Sequence, residues 1–173
     1  VDNPQPAQTE SRARWLYWAA AIALMLGLTA LYQSMIGPRP MQLAEDSEGR
    51  AMVVLPRSRN GHYLAVGAIN GQPVKFLVDT GATDVAVSDG LARAIGLEFG
   101  PRMTVLTAAG PVRGWQTRLD SVQLGELALG DVRATIAPGL GNQALLGMSF
   151  LKHFTITQEG ENLVIALPGV SRL

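Results

Sequence analysis

Cysteine is absent from the 173 residues. That excludes a disulfide framework, a thiol nucleophile and any Cys-ligated metal. It leaves an oxidising compartment open, because a domain with an adequate core needs no staples. Net charge is absent as well: 14 Lys and Arg balance 14 Asp and Glu. Nucleic acid is therefore not expected as a partner, since that shows as a basic excess. Histidine is scarce. His62 and His153 are isolated from each other and read as surface or helix-end residues, so no metal site is expected. No Ser, His and Asp arrangement has recognisable spacing, and no Gly-rich loop could cradle a phosphate. Gly139 to Gly141 follows a proline and reads as a turn. No cofactor is expected.

Charge is also missing locally. Residues 15–36, WLYWAAAIALMLGLTALYQSMI, contain no charged side chain. As a helix the run would be about 33 Å long, enough for a hydrocarbon core of about 30 Å. Trp15, Tyr17 and Trp18 at one end and Tyr32 near the other stand where an aromatic belt would place them. The run exceeds a signal peptide's usual apolar stretch and lacks a clear small-x-small cleavage site. An uncleaved anchor is favoured over a cleaved signal, with a buried core helix as the bland alternative. Arg12 and Arg14 precede the run and Arg39 follows it. Counting Lys and Arg close to the span gives a cytoplasmic N-terminus. The expected location is a single-pass inner membrane protein whose domain faces the periplasm.

Residues 1–14 are polar, contain proline and read as disordered. Residues 37–60 read as a linker, interrupted by Pro38, Pro40 and Pro56, although Met52 to Leu55 could form a first edge strand. Residues 61–173 read as one domain rich in β structure. Apolar alternation flanks Asn70-Gly71, a strong hairpin signal. Ser88 can cap a short helix over DGLARAIG that presents Leu91 and Ile95 and stops at Gly96. A second hairpin-like unit is expected over RLDSVQLGELALGDVRATIAP, and FTITQEGENLVIAL reads as a closing hairpin turning at Glu159 to Glu161. Short, closely spaced strands imply a small closed or partly closed barrel.

One stretch does not fit a purely structural account. In FLVDTGATDVAVS an apolar strand delivers Asp79 towards the interior, where an unpaired carboxylate is costly. Gly81 permits a sharp turn, and the Thr80 hydroxyl can anchor it. About 65 residues later ALLGMSFL echoes the arrangement without the acid. A structural aspartate capping its own turn is the alternative reading of Asp79.

The two segments together resemble the retropepsin-like aspartic proteases, in particular their bacterial membrane-anchored group, over roughly residues 60–167. The resemblance implies a mainly β, small closed barrel of the retropepsin type with an N-terminal transmembrane helix. It makes Asp79 the catalytic aspartate, supported by Thr80 and Gly81. Leu145, Leu146 and Gly147 match the element that packs behind the catalytic loop. Ala82, Thr83 and Asp84 would line the substrate groove. A flap hairpin falls at about Met103 to Trp115, with Ala108, Ala109 and Gly110 at its tip. The chemistry needs two carboxylates sharing one proton, because two like charges about 3 Å apart do not both ionise.

This chain supplies one such loop, for Asp84, Asp89, Asp120 and Asp131 lack a following Thr/Ser-Gly. The implied enzyme is a homodimeric, membrane-anchored aspartic endopeptidase acting on polypeptides, with one Asp79 from each subunit. By family analogy the terminal strands would intertwine. A non-catalytic dimerisation or peptide-binding module would use the same motif and the same barrel, and sequence alone leaves it open.

Overall fold

The computed structural model describes residues 9–36, 40–107 and 110–169. The chain divides into two compact units, Val1–Pro38 and Arg39–Leu173. The described residues of the first form one helix, α1 (Thr9–Ile36). It covers the uncharged run and begins six residues before it. The N-terminal segment expected to be disordered is therefore helical from Thr9. Along α1 the Thr29 hydroxyl donates to the Met25 carbonyl at 2.7 Å. Trp15, Tyr17, Trp18, Ile22, Leu24, Met25, Leu26 and Leu28 are exposed. Among the described residues, no helix is long and apolar enough to cross a membrane.

The second unit opens with β1 (Gln42–Glu45) and β2 (Ala51–Pro56). Much of the expected linker is thus strand. The cause is tertiary: Val53 and Leu55 alternate into the core at 1% and 0% exposure, and β2 gains a hydrogen-bonding partner from the far end of the chain. Then come β3 (Tyr63–Ile69), β4 (Gln72–Val78), β5 (Val85–Ser88), α2 (Asp89–Ala94), β6 (Arg102–Thr107) and β7 (Gly110–Leu124). The chain continues through β8 (Leu127–Ala137), β9 (Ala144–Leu146), α3 (Met148–Leu151), β10 (Thr155–Glu159) and β11 (Asn162–Ala166).

The local signals worked where their chemistry was specific. Asn70 and Gly71 both take positive φ, 50° and 76°, as a two-residue hairpin turn between β3 and β4 requires. Ser88 caps α2 by accepting from the Leu91 amide, and Gly96 at φ 72° ends it. Gly160 turns β10 into β11 at φ 58°.

Among the described residues the strands form two sheets. One runs β1-β2-β11-β10 and the other β3-β4-β9-β5-β8-β7-β6. The larger sheet curls until β3 meets β7 at Ala68–Gln123 and Ile69–Val122. Those two residue pairs are what corresponds to the closed barrel expected from the sequence. Its concave side is filled by Phe76, Leu119, Ile136, Leu146 and Phe150, all at 0% exposure. Each such burial contributes roughly 1.5–3 kcal/mol.

Two details of strand pairing bear on Asp79 and its surroundings. The short strand β9 sits between β4, parallel to it, and β5, antiparallel to it. The strand β11 has both hydrogen-bonding edges occupied within its own chain, by β2 and β10.

Candidate active site

Asp79 comes directly after β4, whose Phe76 and Val78 are buried. In parallel register β4 pairs Leu77 with Leu145 and Val78 with Leu146. The next residues in line are Asp79 and Gly147, so the two sequence segments that echo one another lie side by side. The Asp79 amide donates to the Leu146 carbonyl at 3.2 Å. Its own carbonyl accepts from the Ala82 amide, also at 3.2 Å, which closes a tight turn over Thr80 and Gly81. Within that turn the Gly81 amide donates to Asp79 Oδ1 at 2.9 Å. A Cβ on Gly81 would lie 3.2 Å from the same oxygen. The carboxylate is half-buried, while Thr80 and Gly81 are exposed.

The loop is laced to α3 from behind. The Met148 amide donates to the Ala82 carbonyl at 2.8 Å, and the Ser149 amide to the Thr83 carbonyl at 2.9 Å. The Ser149 hydroxyl, buried, accepts from the Val85 amide at 2.9 Å. These contacts require close approach of Gly147 to the loop. A Cβ at Gly147 would stand 2.2 Å from the Asp84 carbonyl oxygen and 2.8 Å from that of Ala82. Leu146 is fully buried behind the loop and Leu145 half-buried beside it. The structure thus brings together Asp79, Thr80, Gly81, Ala82, Thr83, Asp84, Leu145, Leu146 and Gly147.

The candidate flap is separate from this loop in sequence. Strands β6 and β7 pair from Arg102–Trp115 to Thr107–Gly110, and the Thr107 hydroxyl donates to the Gly110 carbonyl at 2.7 Å. Ala108 and Ala109 lie outside the described residues. Leu106, near the tip, is 84% exposed. Trp115 stands at the hairpin base, edge-on to Phe99 with ring centroids 5.2 Å apart. The Arg93 guanidinium lies over the Phe99 ring, 4.8 Å from its centroid.

Sequence reading missed residues that only the sheet register reveals. Leu64 pairs with Leu77, Leu77 with Leu145, Ala86 with Leu145, and Ala86 with Thr135. Residues paired across strands share a face, so these five make one row across β3, β4, β9, β5 and β8. The row lies opposite the core row of Phe76, Ala144, Val87 and Ile136. Strand alternation continued by one step puts Asp79 on the same face as Leu77. The second missed residue is Arg133, whose Nε donates to Asp84 Oδ1 at 2.7 Å. Alternation in β4 or β5 could have flagged Leu77 and Ala86. Nothing local could have flagged Arg133, which is 49 residues away.

His62 and His153 are exposed. Among the described residues, no cluster of His, Asp and Glu could hold a metal ion.

Comparison with known proteins agrees with this geometry. The family model described as "gag-polyprotein putative aspartyl protease" matches residues 65–153. An uncharacterised protein from the cobV 5′ region of a Sinorhizobium species is 34% identical over 125 residues, covering 70% of this chain and 54% of the relative. An uncharacterised protein of Rickettsia prowazekii is 32% identical over 118 residues, 65% of this chain and 50% of the relative. The chain thus spans about half the length of the curated relatives it matches. Among solved structures, a retropepsin-like aspartic protease from Rickettsia conorii is similar with a TM-score of 0.58 and 26% identity. That match covers 73% of this chain and 93% of the other.

Proposed function

The chain belongs to the gag-polyprotein aspartyl protease family, and from that premise we propose that it is an aspartic endopeptidase built on a pair of Asp79 residues, one from each of two copies. One observation carries the reading. A half-buried carboxylate is fixed by the Gly81 amide in a loop held from behind by β9 and α3, and the chain contains that motif once. Such a loop is half of a two-carboxylate site.

In the dimer the two carboxylates share one proton. The ionised one takes a proton from a water whose oxygen attacks the scissile carbonyl carbon. The protonated one gives its proton to the carbonyl oxygen. The tetrahedral diol then collapses, the C–N bond breaks, and the amine leaves with a proton returned from the dyad. Leu64, Leu77, Leu145 and Ala86 of this row give the groove an apolar floor, so apolar side chains flanking the scissile bond are the preferred substrate class. The β6–β7 hairpin serves as the flap that excludes water over the bound peptide.

The uncharged run of residues 15–36 carries the further proposal of a single membrane span with the protease domain on the periplasmic side, although the described part of α1 alone is not long and apolar enough to cross. The support is the uncharged run itself and the Thr29 hydroxyl, satisfied by its own helix as an apolar surround demands. Fractionation of cells expressing an N-terminally labelled chain tests this. Recovery of the label in the soluble fraction overturns it.

The decisive experiment compares the full chain with Asp79→Asn on a peptide library over roughly pH 3–7, where dyads of this kind work. Turnover should fall by on the order of 10³-fold or more, as for loss of other essential catalytic groups. Equal turnover by the variant overturns the assignment. Peptide binding without turnover by either protein favours the non-catalytic module.

A further inference from the structure

Beside the apolar row that floors the groove runs a second row, and this one is charged. We propose that its Arg133 is a specificity-determining residue: held by Asp84, it receives an acidic side chain of the substrate about four residues from the bond that is cut. The proposal rests on the dyad reading of Asp79 and adds to it a substrate class, peptides that carry Asp or Glu outside an apolar centre.

Strand register builds that row. Asp79 lies two residues beyond Leu77 and so shares its face. Gly147 stands beside it, two residues beyond Leu145. Asp84 lies two residues before Ala86, and its carbonyl oxygen is the atom that a Cβ on Gly147 would overlap. Val85 pairs with Ala134 in parallel, so Asp84 adjoins Arg133, two residues before Thr135. Arg118 on β7 is paired directly with Arg133. The order across the sheet is Asp79, Gly147, Asp84, Arg133, Arg118.

The same register sets the reach. From β4 through β9 and β5 to β8 there are three strand spacings, which at ~4.8 Å each put Arg133 roughly 14 Å from Asp79. An extended peptide rises ~3.3 Å per residue. Laid along the apolar row, it covers that distance in about four residues. In the proposed dimer the two-fold relation puts one Arg133 on each side of the scissile bond.

The ion pair itself is asymmetric. Arg133 Nε donates to Asp84 Oδ1 at 2.7 Å, and the two side chains are 61% and 18% exposed. The acid lies beneath and the guanidinium on top, so an incoming peptide meets the cation. Nη1 and Nη2 of Arg133 have no hydrogen-bond acceptor among the described residues. Those two nitrogens are the fork that grips a carboxylate at both oxygens. Asp84 fixes the fork in advance, so less side-chain freedom is lost when an acid binds.

Arg118 shows the filled counterpart. Its Nε and Nη2 donate to the two carboxylate oxygens of Asp131, each at 2.5 Å, and Nη2 also to the Asp131 carbonyl at 3.4 Å. Arg118 is committed to its own acid, while Arg133 keeps its fork open. The two arginines stand opposite one another on β7 and β8, where like charges are destabilising. A carboxylate arriving at Arg133 eases that repulsion. Asp120 and Asp131 lie one alternation further along these strands, away from the apolar row.

Matched peptides test this on the full chain. Each has leucine on both sides of the central bond and either glutamate or glutamine at the third, fourth or fifth residue to one side. Glutamine keeps the shape of glutamate without its charge. The wild type should hydrolyse the best glutamate peptide with a kcat/KM on the order of 10-fold above its glutamine partner, as a charge-assisted hydrogen bond provides. Arg133→Gln should bring that ratio to about 1, because it removes the cation. Arg133→Lys, which keeps the charge without the fork, should retain part of it. A residue that merely supported the loop would lower both rates and leave their ratio unchanged.

Equal rates for glutamate and glutamine at all three positions, or a glutamate preference that Arg133→Gln keeps, overturns the assignment. If hydrolysis is nevertheless abolished by Asp79→Asn, the dyad reading survives that failure. Fluorescence anisotropy of the same peptides, labelled, supplies the converse arm. If the wild type cleaves none of them yet binds the glutamate peptide more tightly, and Arg133→Gln removes the difference, the role of Arg133 stands and the dyad reading fails. Neither binding nor cleavage of any peptide overturns both.

Discussion

Gly147 and Ser149 do at the residue scale what Asp79 alone could not. The carboxylate is useful only where the loop holds it, and the loop is held from behind by backbone contacts with no space to spare. Gly147→Ala would put a methyl group 2.2 Å from the Asp84 carbonyl oxygen, so the loop must move or the fold must loosen. Overpacking of this kind costs about 1–3 kcal/mol, and peptide turnover should fall further than stability does, because the displaced group adjoins Asp79. Ser149→Ala removes the acceptor for a buried Val85 amide. The orphaned donor should cost about 1–3 kcal/mol. Urea unfolding of the two variants, set beside their turnover numbers, checks both expectations. Unchanged midpoints would show that the loop tolerates repacking.

At the scale of the element, the connection from β1 to β2 is built around one carboxylate. Asp46 Oδ1 accepts from the Glu48 amide at 2.8 Å and the Arg50 amide at 3.0 Å, and Oδ2 accepts from Arg50 Nε at 2.6 Å. The Arg50 amide, then its guanidinium, hold the Asp46 carboxyl below its ordinary value. The sign comes from linkage. A carboxyl depressed in the folded state contributes stability that is fully present above the unfolded value and is lost as pH falls through the folded one. Asp46→Asn should therefore lower stability at neutral pH and leave less of it to lose on acidification. Thermal unfolding of both proteins from neutral pH into the acid range measures the difference. Parallel curves would remove the role assigned to Asp46.

At the scale of the whole molecule, a site made from two copies has a kinetic signature that a site within one copy lacks. Specific activity should rise with protein concentration until the dimer saturates. Wild-type chain mixed with excess Asp79→Asn should lose activity beyond simple dilution, because each mixed dimer holds a single competent carboxylate. A membrane anchor would lower the concentration needed by confining the copies to two dimensions. Activity strictly proportional to concentration, with no inhibition on mixing, would place the whole site in one chain.

What the sequence determined by itself was whatever depends on neighbours along the chain. The Asn70-Gly71 turn, the Ser88 cap, the Gly96 stop and the strand that delivers Asp79 into a Gly-containing turn all arise from local backbone chemistry. Much of the fold and the loop of the candidate site were legible for that reason. Tertiary structure decided what depends on partners distant in the chain. Residues 42–45 and 51–56 fell within a stretch read as linker from Pro38, Pro40 and Pro56, with only Met52 to Leu55 offering an edge strand, and it is β11 that supplies the partner for β2. Leu77, Ala86, Leu145 and Thr135 form one row only after register is set, and Arg133 meets Asp84 only after β8 is laid beside β5. The filling of both edges of β11 is of the same kind. A strand's sequence fixes its pattern of faces, but which neighbours take its hydrogen bonds is settled by the competition of every strand for the same edges.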